Sequence, residues 1–257
     1  MRLICCLIAL FVSACGPQAS APDPAPTPEV LKSGFEFLTP ETQALQNDSF
    51  ENPAMLWVDR GEALFTEAKN GPSCESCHSG DSLQMAALNY PQIDESSGEL
   101  INLEGRINLC RIRHQDKPAL YYESDDLLGL TSFVASQSKG LARNLTLTPK
   151  LQQAYDRGLD YYFTRRGQMN LSCAQCHDAH WGQKLRGDTI SQGHPNGFPA
   201  YRFEWEAAGS LHRRLSDCDI GVRAKPHELG SSQYLDLEVY LAVRAGGLAM
   251  EAPAVRR

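Results

Sequence analysis

The chain has 257 residues, 42% of them hydrophobic and 21% charged, with a formal net charge of -7. That length holds one large domain or two of about 100 residues each, and the composition is ordinary for a soluble globular protein. An acidic chain without a basic stripe excludes nucleic acid as a partner and leaves small molecules and other proteins.

Met1 and Arg2 followed by the apolar run Leu3 to Val12 read as a targeting segment, too short for a membrane-spanning helix. Val12-Ser13-Ala14-Cys15 reads as a lipobox, with Cys15 the site of a lipid anchor. Ala19-Ser20-Ala21 offers an ordinary cleavage site instead. Either reading exports the protein, to the periplasm or to a membrane anchor facing it. Residues 1–21 are thus a signal region and 22–49 a linker and N-terminal extension. The Pro- and Ala-rich stretch from Gly16 to about Glu29 reads as a flexible tether.

Asn52-Pro53 predicts a helix start, with Leu56, Gly61 and Phe65 on a helical pattern. Cys74-Glu75-Ser76-Cys77-His78 follows, then Cys110, then a closing helix with Leu130, Phe133, Val134 and Ala135 before Gly140. The same order returns in the second half. Thr148-Pro149 predicts a helix with Leu151, Tyr155, Gly158 and Tyr162. Cys173-Ala174-Gln175-Cys176-His177 follows, then a loop with Gly182, Gly187, Gly193 and Gly197. Cys218 comes next, then a closing helix with Leu237, Tyr240, Leu241 and Ala242 before Gly247. Both first helices contain Gly-x-x-x-aromatic, which lets a second helix cross closely over the glycine with the aromatic filling the crossing.

Cys5, Cys6 and Cys15 belong to the signal region, so the mature cysteines form two triplets, Cys74, Cys77, Cys110 and Cys173, Cys176, Cys218. C-x-x-C-H presents two thiols to the vinyl groups of one haem and a histidine to its iron. Two copies in an exported chain point to two covalently bound haem c groups, with His78 and His177 as proximal ligands. A zinc site or small disulfides are the alternatives. The expected fold is all-α: two cytochrome c-like domains in tandem, residues 50–146 and 147–257, each wrapped on one haem with long loops.

The sixth iron position decides the chemistry. Met55, Met85, Met169 and Met250 are poorly placed for it, whereas His114, His194, His212 and His227 are conceivable. Cys110 and Cys218 stand at equivalent places in the repeat and suggest one thiolate per iron. A Cys110–Cys218 disulfide is the competing reading. Arginines surround both: Arg106, Arg111 and Arg113 near Cys110, and Arg213, Arg214 and Arg223 near Cys218. If Arg214 and Cys218 lie on one helix, their i,i+4 spacing puts them on the same face, where a guanidinium favours thiolate and binds oxyanions. The bland reading is a solvated face paired with Glu204, Glu206, Asp217 and Asp219. Charge alone does not choose between the halves.

The two motifs about a hundred residues apart, Asn108-Leu109-Cys110 with Gln115, and Arg214-x-x-x-Cys218 with Val222-Arg223-Ala224 resemble the SoxA family. These are dihaem subunits of sulfur-oxidising SoxAX cytochromes. The resemblance implies His/Cys ligation of both haems and a cysteine persulfide at Cys218. It implies an L-cysteine S-thiosulfotransferase that joins thiosulfate oxidatively to a cysteine of SoxY, in the SoxYZ carrier, as an S-thiosulfonate. Cys218 would be catalytic and Arg214 would hold the anion. The implied partners are SoxX, a monohaem cytochrome, SoxYZ, thiosulfate and a c-type electron acceptor. A thiosulfate dehydrogenase forming tetrathionate and a plain dihaem electron carrier are the other readings.

Overall fold

Two glycines set where the long helices meet. Helices α1 (Pro40–Asn47) and α2 (Met55–Thr66) open the first half, which continues through strands β1 (Gln92–Ile93) and β2 (Leu100–Ile101) to α3 (Leu103–Gln115) and α4 (Asp125–Ser136). On α2, a Cβ at Gly61 would stand 2.0 Å from the Gly129 carbonyl oxygen of α4, so only a hydrogen fits at that crossing. One turn later Phe65 packs on Phe133 with ring centroids 5.1 Å apart. In the second half α5 (Pro149–Phe163) crosses α8 (Ser232–Arg244) by the same rule. A Cβ at Gly158 would lie 2.1 Å from the Asp236 carbonyl oxygen, and Tyr162 meets Tyr240 at 5.0 Å. The glycine-then-aromatic spacing works as the sequence predicts.

The computed structural model describes residues 30–68, 71–78 and 80–257. The signal region, Cys15 and the tether from Gly16 to Glu29 lie outside them. Among the described residues no helix is long and apolar enough to cross a membrane.

Thr148 caps α5 by accepting the Leu151 amide, with Pro149 in the first turn, as its sequence predicts. The first half differs. Asn52 ends a tight turn instead: its Oδ1 accepts the Ala54 amide and its Nδ2 reaches the carbonyls of Gln46 and Pro253, so α2 starts at Met55. Both closing helices stop short of their glycines. Gly140 and its counterpart in the second half, Gly247, adopt left-handed φ of 82° and 92° beyond the ends of α4 and α8.

The fold is not all-α. Between the motif helix α6 (Cys173–His177) and α8 lie β3 (Lys184–Leu185), β4 (Asp188–Thr189), β5 (Ala200–Arg202), β6 (Ala207–Gly209) and α7 (Leu211–Gly221), and β7 (Ala254–Arg256) follows α8. β5 sits between β6, antiparallel, and β7, parallel, while β1–β2 and β3–β4 form separate hairpins. Strands of two or three residues are too short for apolar alternation to announce them.

Candidate functional site

Each C-x-x-C-H motif packs its first cysteine against its own helix crossing. Cys74 lies beside Phe65, Leu83 and Leu130, and Cys173 beside Tyr162, Ala174 and Leu237. In the first motif the His78 and Cys77 amides both donate to the Cys74 carbonyl, a single turn that puts both thiols and the imidazole on one small surface. Gln115, at the end of α3, donates to the Pro72 carbonyl at 3.0 Å and to Cys74 Sγ at 3.5 Å, which ties that helix to the motif. In the second motif Ser172 and Gln175 form a capping box around α6.

The lone cysteines return to their motifs. Cys110 on α3 shares its electrostatic field with Cys74 and Cys77, and Cys218 on α7 with Cys173 and Cys176. All six are free thiols, so the Cys110–Cys218 disulfide is not formed. The His177 ring donates from Nδ1 to the Ser191 carbonyl at 2.8 Å, because a carbonyl only accepts, and the ring also hydrogen-bonds Cys218. Gly193, at φ 73°, backs the ring so closely that a Cβ would stand 2.8 Å from Cγ. The donor set therefore fits a haem iron: an imidazole with a fixed tautomer, a facing thiol and two thiols on one turn.

The histidines conceivable at the second iron are engaged elsewhere, whereas His114 of the first half is exposed. His212 donates to Glu238 from Nε2 and accepts the Gly230 amide at Nδ1. His194 bonds Gln192, and His227 packs edge-on to Tyr234. Met250 is buried in the core of the first half against Val134 and Ala135, while Met85 and Met169 are exposed.

The two arginine clusters, alike in sequence, differ in what neutralises them. Asp94, buried after β1, accepts Arg113 through both carboxylate oxygens, at 3.0 and 2.8 Å, and Arg106 at 2.9 Å. With that charge consumed, burial pushes the Cys110 thiol up. In the second half three of the four acids expected to neutralise the basic face are engaged otherwise, and the fourth, Glu206, is exposed. Asp217 accepts Trp205 Nε1 at 2.8 Å; Asp219 accepts Tyr161, Tyr234 and Arg166; Glu204 accepts Arg202 at 2.8 Å. Among the described residues Arg214 has no ion-pair partner. Burial raises the Cys218 thiol too, but Arg214, the His177 hydrogen bond and Arg202 together outweigh it and bring it down to about 7.

Arg202, Asp94 and Gly193 carry weight in the site and have no signal beside the motifs. Arg202 is 6% exposed, lies 5.2 Å over the Trp205 ring, and leaves its buried Nε without a partner.

The SoxA/TsdA cytochrome c domain matches residues 60–142. The "L-cysteine S-thiosulfotransferase subunit SoxA" of Rhodovulum sulfidophilum is 35% identical over 243 residues, covering 90% of this chain and 85% of that protein. Its namesake in Pseudaminobacter salicylatoxidans is 37% identical over 245 residues, covering 93% and 85%. The crystal structure of SoxXA from P. pantotrophus superimposes with a TM-score of 0.83 at 34% identity, covering 88% of this chain and 87% of that one. This chain is a haem c protein and belongs to the SoxA family.

Proposed function

We propose that the chain conjugates thiosulfate oxidatively to a carrier-protein cysteine, as an L-cysteine S-thiosulfotransferase. The observation that carries this reading is the half-buried Cys218 thiol, one helical turn from an Arg214 that has no ion-pair partner among the described residues. The net change is a carrier thiolate and thiosulfate giving a cysteine S-thiosulfonate and two electrons. One haem c in each half would be held by Cys74, Cys77, His78 and Cys110, and by Cys173, Cys176, His177 and Cys218. When bound, the second haem supplies the sink for those electrons.

The chain's own residues supply the rest. Arg214 offers a planar fork to the sulfonate oxygens of thiosulfate and holds negative charge on Cys218. Ser191 and Gly193 fix the tautomer and plane of His177, so the thiol opposite it has one orientation. Asp219, gripped by Arg166 and two tyrosines, anchors the last turn of α7 behind Cys218. In this reading Cys218 carries a persulfide at rest and the protein works in the periplasm, anchored by lipid if Cys15 is acylated. It pairs with a SoxX-type monohaem cytochrome, takes a SoxYZ-type carrier as substrate and passes electrons to a c-type acceptor. The names and the 0.83 match to a SoxXA complex support this assignment. Met85 and Met169 are exposed and Met250 is committed to the core, which favours this reading over a methionine-ligated dehydrogenase.

The test is Cys218→Ala. Thiosulfate-dependent turnover should disappear while two covalent haems per chain remain by intact mass. Retained turnover rules out the catalytic cysteine, and one extra sulfur in the native mass supports the persulfide.

A further inference from the structure

The helices that carry the lone cysteines are linked at their N-terminal ends through α8. Glu104 lies six residues before Cys110 on α3, and His212 six residues before Cys218 on α7. Six residues of helix span about 9 Å along the axis. Glu238 of α8 joins the two ends: its Oε2 accepts His212 Nε2 at 3.0 Å and Asn102 Nδ2 at 3.3 Å. The Gly230 amide donates to His212 Nδ1 at 2.9 Å, which leaves that imidazole neutral with its proton on Nε2. Tyr122 stacks on His212 with 3° between the rings and donates to Asn102 Oδ1 at 3.0 Å.

A cavity of about 40 Å³, room for a water molecule, opens here between the two halves. Its lining includes Glu104, Glu238, Arg143, Thr131 and Tyr90. The charges do not balance by direct pairing. Glu104 and Glu238 are each 8% exposed. Arg143 is the buried cation on this cavity, but its Nη2 donates to the Tyr90 carbonyl and its Nε has no partner. Among the described residues no ion pair joins Arg143 to either carboxylate. Glu123, tied to the Ser210 amide and Arg213, adds negative charge from the loop before α4. Two buried carboxylates beside a guanidinium that bonds neither of them favour a proton on Glu104. Burial first, and Glu238 second, push Glu104 up to about 7.

We propose that this seam is a proton-binding site, in which Glu104, facing Glu238 and Arg143 across the cavity, holds one exchangeable proton whose occupancy follows the charge at the ends of α3 and α7. By reciprocity, an electron gained at either centre strengthens proton binding, and the bound proton raises the affinity for electrons. One O–H bond forms at a carboxylate oxygen, with the proton drawn from solvent water. In turnover the electron comes from the thiosulfate–cysteine pair, so that step rests on the proposed activity. The proton on Glu104 does not.

The experiment uses the haem-loaded full chain poised at an electrode, which needs no thiosulfate. Infrared spectra of the native protein near pH 7 should show a deuterium-sensitive protonated-carboxyl band that grows on reduction. The midpoint potentials should fall with rising pH between about pH 5 and 9, and that fall should shrink at least about twofold in Glu104→Gln. Glu238→Gln provides the same reading if Glu104→Gln loses haem. Absence of the band in native protein overturns the proposal. So does a pH dependence unchanged in both variants, which would belong to groups outside the seam. Loss of thiosulfate turnover by Cys218→Ala, with the band intact, leaves this site standing; turnover retained there sinks only the catalytic reading.

Discussion

Asp94 grips Arg113 through both carboxylate oxygens, at 3.0 and 2.8 Å, and this fork separates an occupied cation cluster from a free one. The two lone cysteines sit at equivalent places in a repeat, each near arginines. The half whose arginines are already neutralised has a raised thiol, and the half whose Arg214 is free has a lowered one.

The fork has a pH signature. Arg113 first, then Ser97, hold the Asp94 carboxyl well below the usual carboxylate range. A carboxyl depressed by folding contributes stability that is complete above its unfolded value, about 3.9, and lost as pH falls below it. Asp94→Asn should therefore flatten the acid limb of stability, measured as Tm from pH 6 down to about pH 2. An unchanged acid limb would mean other carboxylates govern it.

Arg214→Leu should lower kcat/KM for thiosulfate roughly 10- to 100-fold, the equivalent of ~1.5–3 kcal/mol of charge-assisted hydrogen bonding. Arg213→Leu should change it less than about twofold, because Arg213 faces Glu123 and the Trp205 ring instead. Steady-state kinetics on the two variants side by side decide the matter. Equal losses would reduce the cluster to a general positive field.

Gly193→Ala tests the seat of His177. A methyl group would meet the imidazole, and φ of 73° already disfavours an L side chain. The ferric spectrum should change for one haem of two, with thermal stability reduced by no more than ~1–3 kcal/mol. A spectrum identical to the native one would show that the ring does not rest on this loop.

Gly61→Ala and Gly158→Ala should each push a helix pair apart. The added methyl would overlap a backbone carbonyl, and a carbonyl has no rotamer in which to retreat. The strain should exceed the ~1 kcal/mol that alanine contributes to a helix, so thermal melting should show a lower Tm for both. A raised Tm in either variant would refute the close crossing there.

The crossings were readable because a glycine and an aromatic four residues apart on a helix leave a one-dimensional trace. So were the motif histidines, the Thr148 cap and the lone cysteines, all of which are local patterns. Asp94 was not, because it is 12 residues from Arg106 and 19 from Arg113 and nothing periodic links them. Arg202 was not, because its role depends on Glu204 and Trp205 folding under it from a hairpin of three-residue strands. Asn52-Pro53 misplaced the start of α2 because the asparagine side chain was drawn to Gln46 and Pro253, a contact 201 residues away in sequence. The seam at Glu104, His212 and Glu238 joins residues 108 and 26 positions apart, and it appears only when the halves are packed together.

β7 lies parallel to β5 with Arg256 opposite Arg202, and Gln46 of α1 accepts both the Val255 amide and the Arg256 guanidinium. The strand bearing Arg202 is thus clamped by residues Ala254–Arg256. Losing that clamp, as in Gln46→Ala, would slacken the wall beside Cys218 while leaving every haem-binding side chain in place.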